Sequence, residues 1–94
     1  MRIAVDISLY PLNADYVPPI RSFIDRLSAH AGLAVEYNAL STQVAGELDA
    51  VFDALRSEIG RTFEGPDRAV FVLKMLGGAN PPAEFPHIHG TRPK

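Results

Sequence analysis

Hydrophobic and polar residues alternate from Arg2 to Tyr10. Ile3, Val5, Ile7 and Leu9 fall on one side, and Ala4, Asp6, Ser8 and Tyr10 on the other. A period of two predicts a strand packed against a core on one face only. Pro11 has no N–H to give to a ladder, so the strand should stop there. The period then changes. Ile20, Phe23, Ile24 and Leu27 follow the i, i+3, i+4, i+7 spacing of one apolar helical stripe. Pro18 and Pro19 suit the first turn of that helix, and Gly32 suits its stop. Alternation returns over Leu33 to Leu40 and again over Thr42 to Gly46. The connection between them is short, which suits antiparallel neighbours. Leu48 to Phe63 predicts a second helix, with Leu48, Val51, Phe52, Leu55, Ile59 and Phe63 as its buried stripe. Glu47 and Asp49 lie near its start, where the helix dipole favours negative charge. Ala69 to Leu76 is apolar except for Lys74, the pattern of a well-covered strand.

The order β-α-β-β-α-β predicts an α+β, ferredoxin-like fold, with a four-stranded antiparallel sheet carrying both helices on one face. The other face is then open, and Asp6, Ser8, Tyr10, Glu36 and Asn38 are expected to point there. Residues 1–78 make up the domain. Residues 79–94 hold four prolines and little periodicity, and read as an extended tail.

At 94 residues one domain is expected. A domain this small buries only about 60–68% of its unfolded surface, so it is marginal alone. The chain has no cysteine to compensate, which leaves self-association as the way to bury more apolar surface. The formal net charge is −2 and the nine basic residues are scattered, which argues against a nucleic-acid partner. No apolar run reaches the ~20 residues of a membrane span. The N-terminal segment reads as a strand rather than a signal peptide, and a cytoplasmic protein is expected.

Ser8 and Tyr10 are two apart on a strand and share a face. One reading is a plain sheet surface or a dimer interface. The other is a pocket in which Tyr10 offers a stacking surface and Ser8, Asn38, Ser41 and Thr42 offer hydrogen bonds. A mid-strand carboxylate such as Asp6 is most simply solvated or paired with an arginine. In a pocket it would favour a cation or a ring amino group, and Glu36 has the same chemistry. An Asp–Glu acid–base pair is conceivable, but no activated nucleophile accompanies it, so no catalytic residue is assigned. His30 ends the first helix as a favourable C-terminal charge. His87 and His89 could face one metal ion, but two imidazoles without a third ligand make a weak site, and no metal or cofactor is expected. Gly77-Gly78 follows a strand but lacks the Lys-Ser or Lys-Thr helix start of a phosphate loop.

Three segments carry a resemblance: Ser8-Leu9-Tyr10-Pro11-Leu12, Leu40-Ser41-Thr42-Gln43-Val44-Ala45-Gly46, and Asp49-Ala50-Val51-Phe52-Asp53-Ala54-Leu55. Together with the order of elements over residues 1–77, they resemble the YkoF-like thiamine/hydroxymethylpyrimidine-binding family. The resemblance implies a ferredoxin-like fold that associates through its sheets as a homodimer or homotetramer. It also implies non-catalytic binding of thiamine or its hydroxymethylpyrimidine moiety, linked to uptake or salvage. By motif position it points to Ser8, Tyr10, Ser41 and Thr42. Asn38 and Asp6 are added by the shared-face argument. A small enzyme using a cavity beside the open sheet, or an assembly module without a ligand, are the alternatives.

Overall fold

The computed structural model describes residues 1–78. The proposed tail, with His87 and His89, lies outside the described residues. The elements are β1 (Arg2–Pro11), α1 (Val17–Ser28), β2 (Ala34–Tyr37), β3 (Thr42–Glu47), α2 (Leu48–Phe63) and β4 (Ala69–Leu76). They build one four-stranded sheet in the order β2-β3-β1-β4, with every neighbouring pair antiparallel. β3 is inserted between β1 and β2, the split β-α-β arrangement of the ferredoxin-like α+β fold.

The alternation in β1 divides the two faces as expected. Ile3, Val5, Ile7 and Leu9 pack with Val44 of β3, Phe23 and Leu27 of α1, and Val51, Ala54 and Leu55 of α2. Phe71 of β4 extends this core: its ring lies 5.2 Å from that of Phe23 and 5.5 Å from that of Phe63. The first pair is tilted and the second edge-to-face, and such aromatic pairs add about 0.5–1.5 kcal/mol each beyond the area they bury.

Several boundaries move for local reasons. β1 runs through Pro11, which pairs opposite Ala69 at the last rung and has no bond there to lose. β2 ends at Tyr37 rather than Leu40. Asn38 Oδ1 accepts hydrogen bonds from the backbone N–H groups of Leu40 and Ser41, at 2.7 and 3.0 Å. This side-chain turn takes donors that a longer ladder would need. α1 ends at Ser28, and Gly32 at φ 83° then redirects the chain toward β2.

α2 spans the predicted residues but is rotated. Its buried positions are Val51, Ala54, Leu55 and Glu58, while Phe52 is 44% exposed. Glu58 therefore sits on the apolar stripe. Its side chain is only 5% exposed and is held by α1 and the residues just after it: Arg26 Nε donates to Oε1 at 2.8 Å, and His30 Nε2 donates to Oε2 at 2.7 Å. Burial pushes the Glu58 carboxyl up. The hydrogen bonds and charges of His30 and Arg26 outweigh that and hold it below the usual 4.5.

β4 is an edge strand rather than a covered one. Val70, Val72, Leu73, Met75 and Leu76 are 37% to 49% exposed, and only Ala69 and Phe71 are partly buried.

Candidate functional site

A cleft of about 400 Å³ opens at the end of the sheet where β1 leaves it. The end of β1, the start of α1 and the β2–β3 turn converge there because each closes at the same edge of the core. Ile7, Leu9 and Phe23 form an apolar floor, and Ile20, Ile24 and Tyr16 of the α1 region form a wall. Tyr10, Asn38, Ser41 and Thr42 supply the polar groups. Apolar walls with a few converging polar groups are the usual build of a small-molecule site.

Four of the six candidate residues thus line one cleft. It lies against α1 rather than on the open face, and strand register explains why. Thr42 pairs opposite Ile7, a core residue, so its side chain is on the helix face and is 5% exposed. Among the described residues its hydroxyl has no hydrogen-bond partner. Tyr10, 54% exposed, lies at the rim, next to the last residue of β1.

Asp6 and Ser8 lie outside the lining. Ser8 is half-buried on the open face, opposite Val72. Asp6 acts one step behind the cleft: Ser41 Oγ donates to Asp6 Oδ1 at 2.6 Å, and Gln43 Nε2 donates to the same oxygen at 3.2 Å. Gln43 Nε2 also donates to Ser41 Oγ at 2.6 Å. The Ser41 hydroxyl has therefore spent its proton and one lone pair, and keeps only an acceptor site. Asn38 has likewise spent Oδ1 on the turn and keeps its amide N–H₂ as a donor. The cleft thus offers a donor amide on Asn38 and two hydroxyls, on Thr42 and Tyr10, that can donate or accept, while Ser41 lines it with its hydroxyl turned to Asp6 on the opposite face.

A second groove of about 450 Å³ continues along the outer side of α1. It shares Tyr16, Ile20, Ile24, Asn38 and Ala39 with the cleft and adds Tyr37, Arg21 and Asp25. Neither Gln43 nor the α1 wall stands out in the sequence. Tyr16, directly ahead of Val17-Pro18-Pro19, is the one cue there, an exposed aromatic at a helix start. Among the described residues no group of three or more His, Cys, Asp or Glu side chains could hold a metal ion, and no helix is long and apolar enough to cross a membrane.

A ferredoxin-like domain with a ligand-sized cleft at the end of its sheet defines the class. The chain belongs to the YKOF-related family, whose model matches residues 2–70. Among curated proteins none matches significantly. Solved structures share the fold at low identity. A hypothetical protein from Methanocaldococcus jannaschii superposes with a TM-score of 0.80 at 22% identity, over 95% of this chain and 94% of that one. A Thermotoga maritima protein, provisionally assigned to thiamine biosynthesis or salvage, gives 0.71 at 22% identity over 80% and 82% of the two chains. A Streptococcus pneumoniae protein gives 0.66 at 17% identity over 84% and 89%.

Proposed function

We propose that this protein binds thiamine or its hydroxymethylpyrimidine moiety, without catalysis, in the cleft beside α1, and serves vitamin uptake, salvage or buffering. One observation carries the reading: Thr42 buries an unpartnered hydroxyl in an apolar cleft. A buried polar group without a partner costs about 1–3 kcal/mol, and a ligand that supplies one recovers that cost. The family and the Thermotoga structural neighbour support the choice of ligand. An aminopyrimidine carries ring acceptors beside an exocyclic donor. Asn38 N–H₂ and the Thr42 hydroxyl complement that edge, and Tyr10 offers a ring to stack on. The adjoining groove offers the rings of Tyr16 and Tyr37 to a positively charged thiazolium, with the charges of Asp25 and Arg21 in balance.

Thermal denaturation of the protein with thiamine, hydroxymethylpyrimidine and thiamine diphosphate tests the reading. At ten times the Kd, linkage supplies about 1.4 kcal/mol. For a domain of this size the midpoint then rises by roughly 6–11 °C. Thr42→Val separates a binding role from a structural one. It should leave the free protein as stable or more so, because a buried hydroxyl is replaced by a methyl, and should weaken binding about tenfold. No shift with any of the three compounds would refute the assignment.

Self-association through the sheet belongs to the same reading. The open face carries Val70, Val72 and Leu76 of β4 beside the small, buried Ala4 and Ala45. A monomer has no reason to leave that much apolar surface on one strand. Val72→Glu should shift the protein toward monomer in light scattering. An unchanged mass would show that the association, if any, uses another surface.

A further inference from the structure

On the other side of the first turn of α1 lies a separate cleft of about 360 Å³, which shares only Pro11 with the one above. Its polar lining is Ser22, Arg26, Arg61, Thr62, Asp67 and Arg68. We propose that it is a binding site for an oxyanion, a phosphate or diphosphate group. This does not rest on the ligand assigned to the first cleft.

The cleft holds a surplus of donors. Arg26 is fixed in place: Nε donates to Glu58 Oε1, Nη1 to Ser22 Oγ at 2.8 Å, and Nη2 to Thr62 Oγ1 at 2.9 Å and to the Glu58 carbonyl at 3.3 Å. A guanidinium has five N–H donors, so one hydrogen on Nη1 remains. The Ser22 hydroxyl accepts from Arg26, and its own proton has no acceptor among the described residues. Arg61 and Arg68 are exposed, and neither has a carboxylate within salt-bridge distance among the described residues. The one acid in the lining, Asp67, accepts from Asn13 Nδ2 at 2.7 Å.

Arg61 alone has a simpler use, since it lies in the last turn of α2 and offsets the helix dipole there. Arg68 lies in no helix and has no such task. Two unneutralised guanidiniums beside a third that is locked match an oxyanion, which guanidinium forks bind through paired N–H bonds. The walls are preset: Pro11, Pro18, Pro19 and Pro66 hold fixed φ angles, so little backbone freedom is lost on binding and the ordering cost falls on the side chains of Arg61 and Arg68.

The test is an NMR titration of the full chain with inorganic phosphate, pyrophosphate and phenyl phosphate, each at constant ionic strength set with chloride. Saturable shifts at the Arg61 and Arg68 Nε–H signals and at Ser22 are expected. Arg61→Gln with Arg68→Gln should weaken binding about tenfold or more, while the thermal midpoint falls by no more than the few degrees that the lost helix-end charge of Arg61 accounts for. Arg68→Lys keeps the charge but loses the fork, and should weaken binding by less. Tighter binding of phenyl phosphate than of inorganic phosphate would make a phosphorylated metabolite the occupant, and the reverse order would make it free phosphate. Shifts that do not saturate, that chloride alone reproduces, or that survive both variants unchanged would overturn the site.

Discussion

Replacing Glu58 by alanine should destabilise the fold severely for a single polar residue, and in a pH-dependent way. The carboxylate is nearly inaccessible, and Arg26 of α1 and His30 just beyond it close on it at 2.8 and 2.7 Å. Removing one partner of a fully buried ion pair costs about 3–5 kcal/mol. Here Arg26 and His30 remain 22% and 32% exposed, so water can rehydrate part of what is lost. Arg26 also keeps Ser22 and Thr62. A loss of about 1.5–3 kcal/mol at pH 7 is the consistent estimate. At about 4–8 °C per kcal/mol for a domain of this size, the thermal midpoint should fall by roughly 6–20 °C. The sign of the pH effect follows from the carboxyl being held below 4.5 in the folded state. Its contribution is complete above about pH 4.5, where both folded and unfolded chains are ionised. It is lost as the pH falls below that value, because the unfolded chain takes up the proton first. Urea titrations of both proteins at pH 7, 4.5 and 3 measure this directly. The gap between wild type and Glu58→Ala should narrow across the series. A gap under about 0.5 kcal/mol at pH 7, or one that does not narrow in acid, would refute the reasoning.

Tyr10→Ala should weaken binding of the pyrimidine by about threefold to tenfold, the loss of one stacked ring, with no change in the free protein's midpoint. Calorimetric titration decides it. Asn38→Ala frees two backbone N–H groups in the β2–β3 turn, at 2.7 and 3.0 Å from the lost oxygen. It should cost about 1 kcal/mol in denaturant titration and weaken ligand binding as well, since the amide is lost with the turn. Gly46→Ala places a Cβ 2.9 Å from Leu33 Cδ2 and 3.0 Å from the Gly32 carbonyl oxygen. A loss of about 1–3 kcal/mol is expected, and a neutral result would mean that the β2 entry loop yields freely.

Element order and β1 were legible because each rests on a period that one residue type per face makes plain. Ile3, Val5, Ile7 and Leu9 needed no partner to be read. Glu58 was not legible. A single charge on a helical stripe reads as a stripe that has drifted, and only Arg26 and His30, about thirty positions earlier, make burial affordable. The candidate site was half legible. Residue types picked out Tyr10, Asn38, Ser41 and Thr42, but parity along a strand does not say where a hairpin ends. Ser41 and Thr42 are consecutive and point to opposite faces, so Ser41 meets Asp6 while Thr42 enters the cleft. β4 looked covered because an apolar run is the same whether its cover comes from its own helices or from elsewhere.

The place of β1 in the sheet sets a timetable for folding. It is an inner strand, yet both its partners come late in the chain: Arg2 meets Glu47, and Ala4 meets Leu76. On the ribosome, the strand that contributes four core side chains has no ladder until residues 42–47 emerge. Its second edge stays bare until residues 69–76 follow. Closing loops of that length makes assembly slower than in a domain of local contacts. It also leaves a hydrophobic strand edge available to other chains in the interval. A stalled or truncated product lacking β4 would therefore be sticky while nearly complete, and yield on overexpression should respond to temperature and chaperone supply more than to the stability of the finished fold.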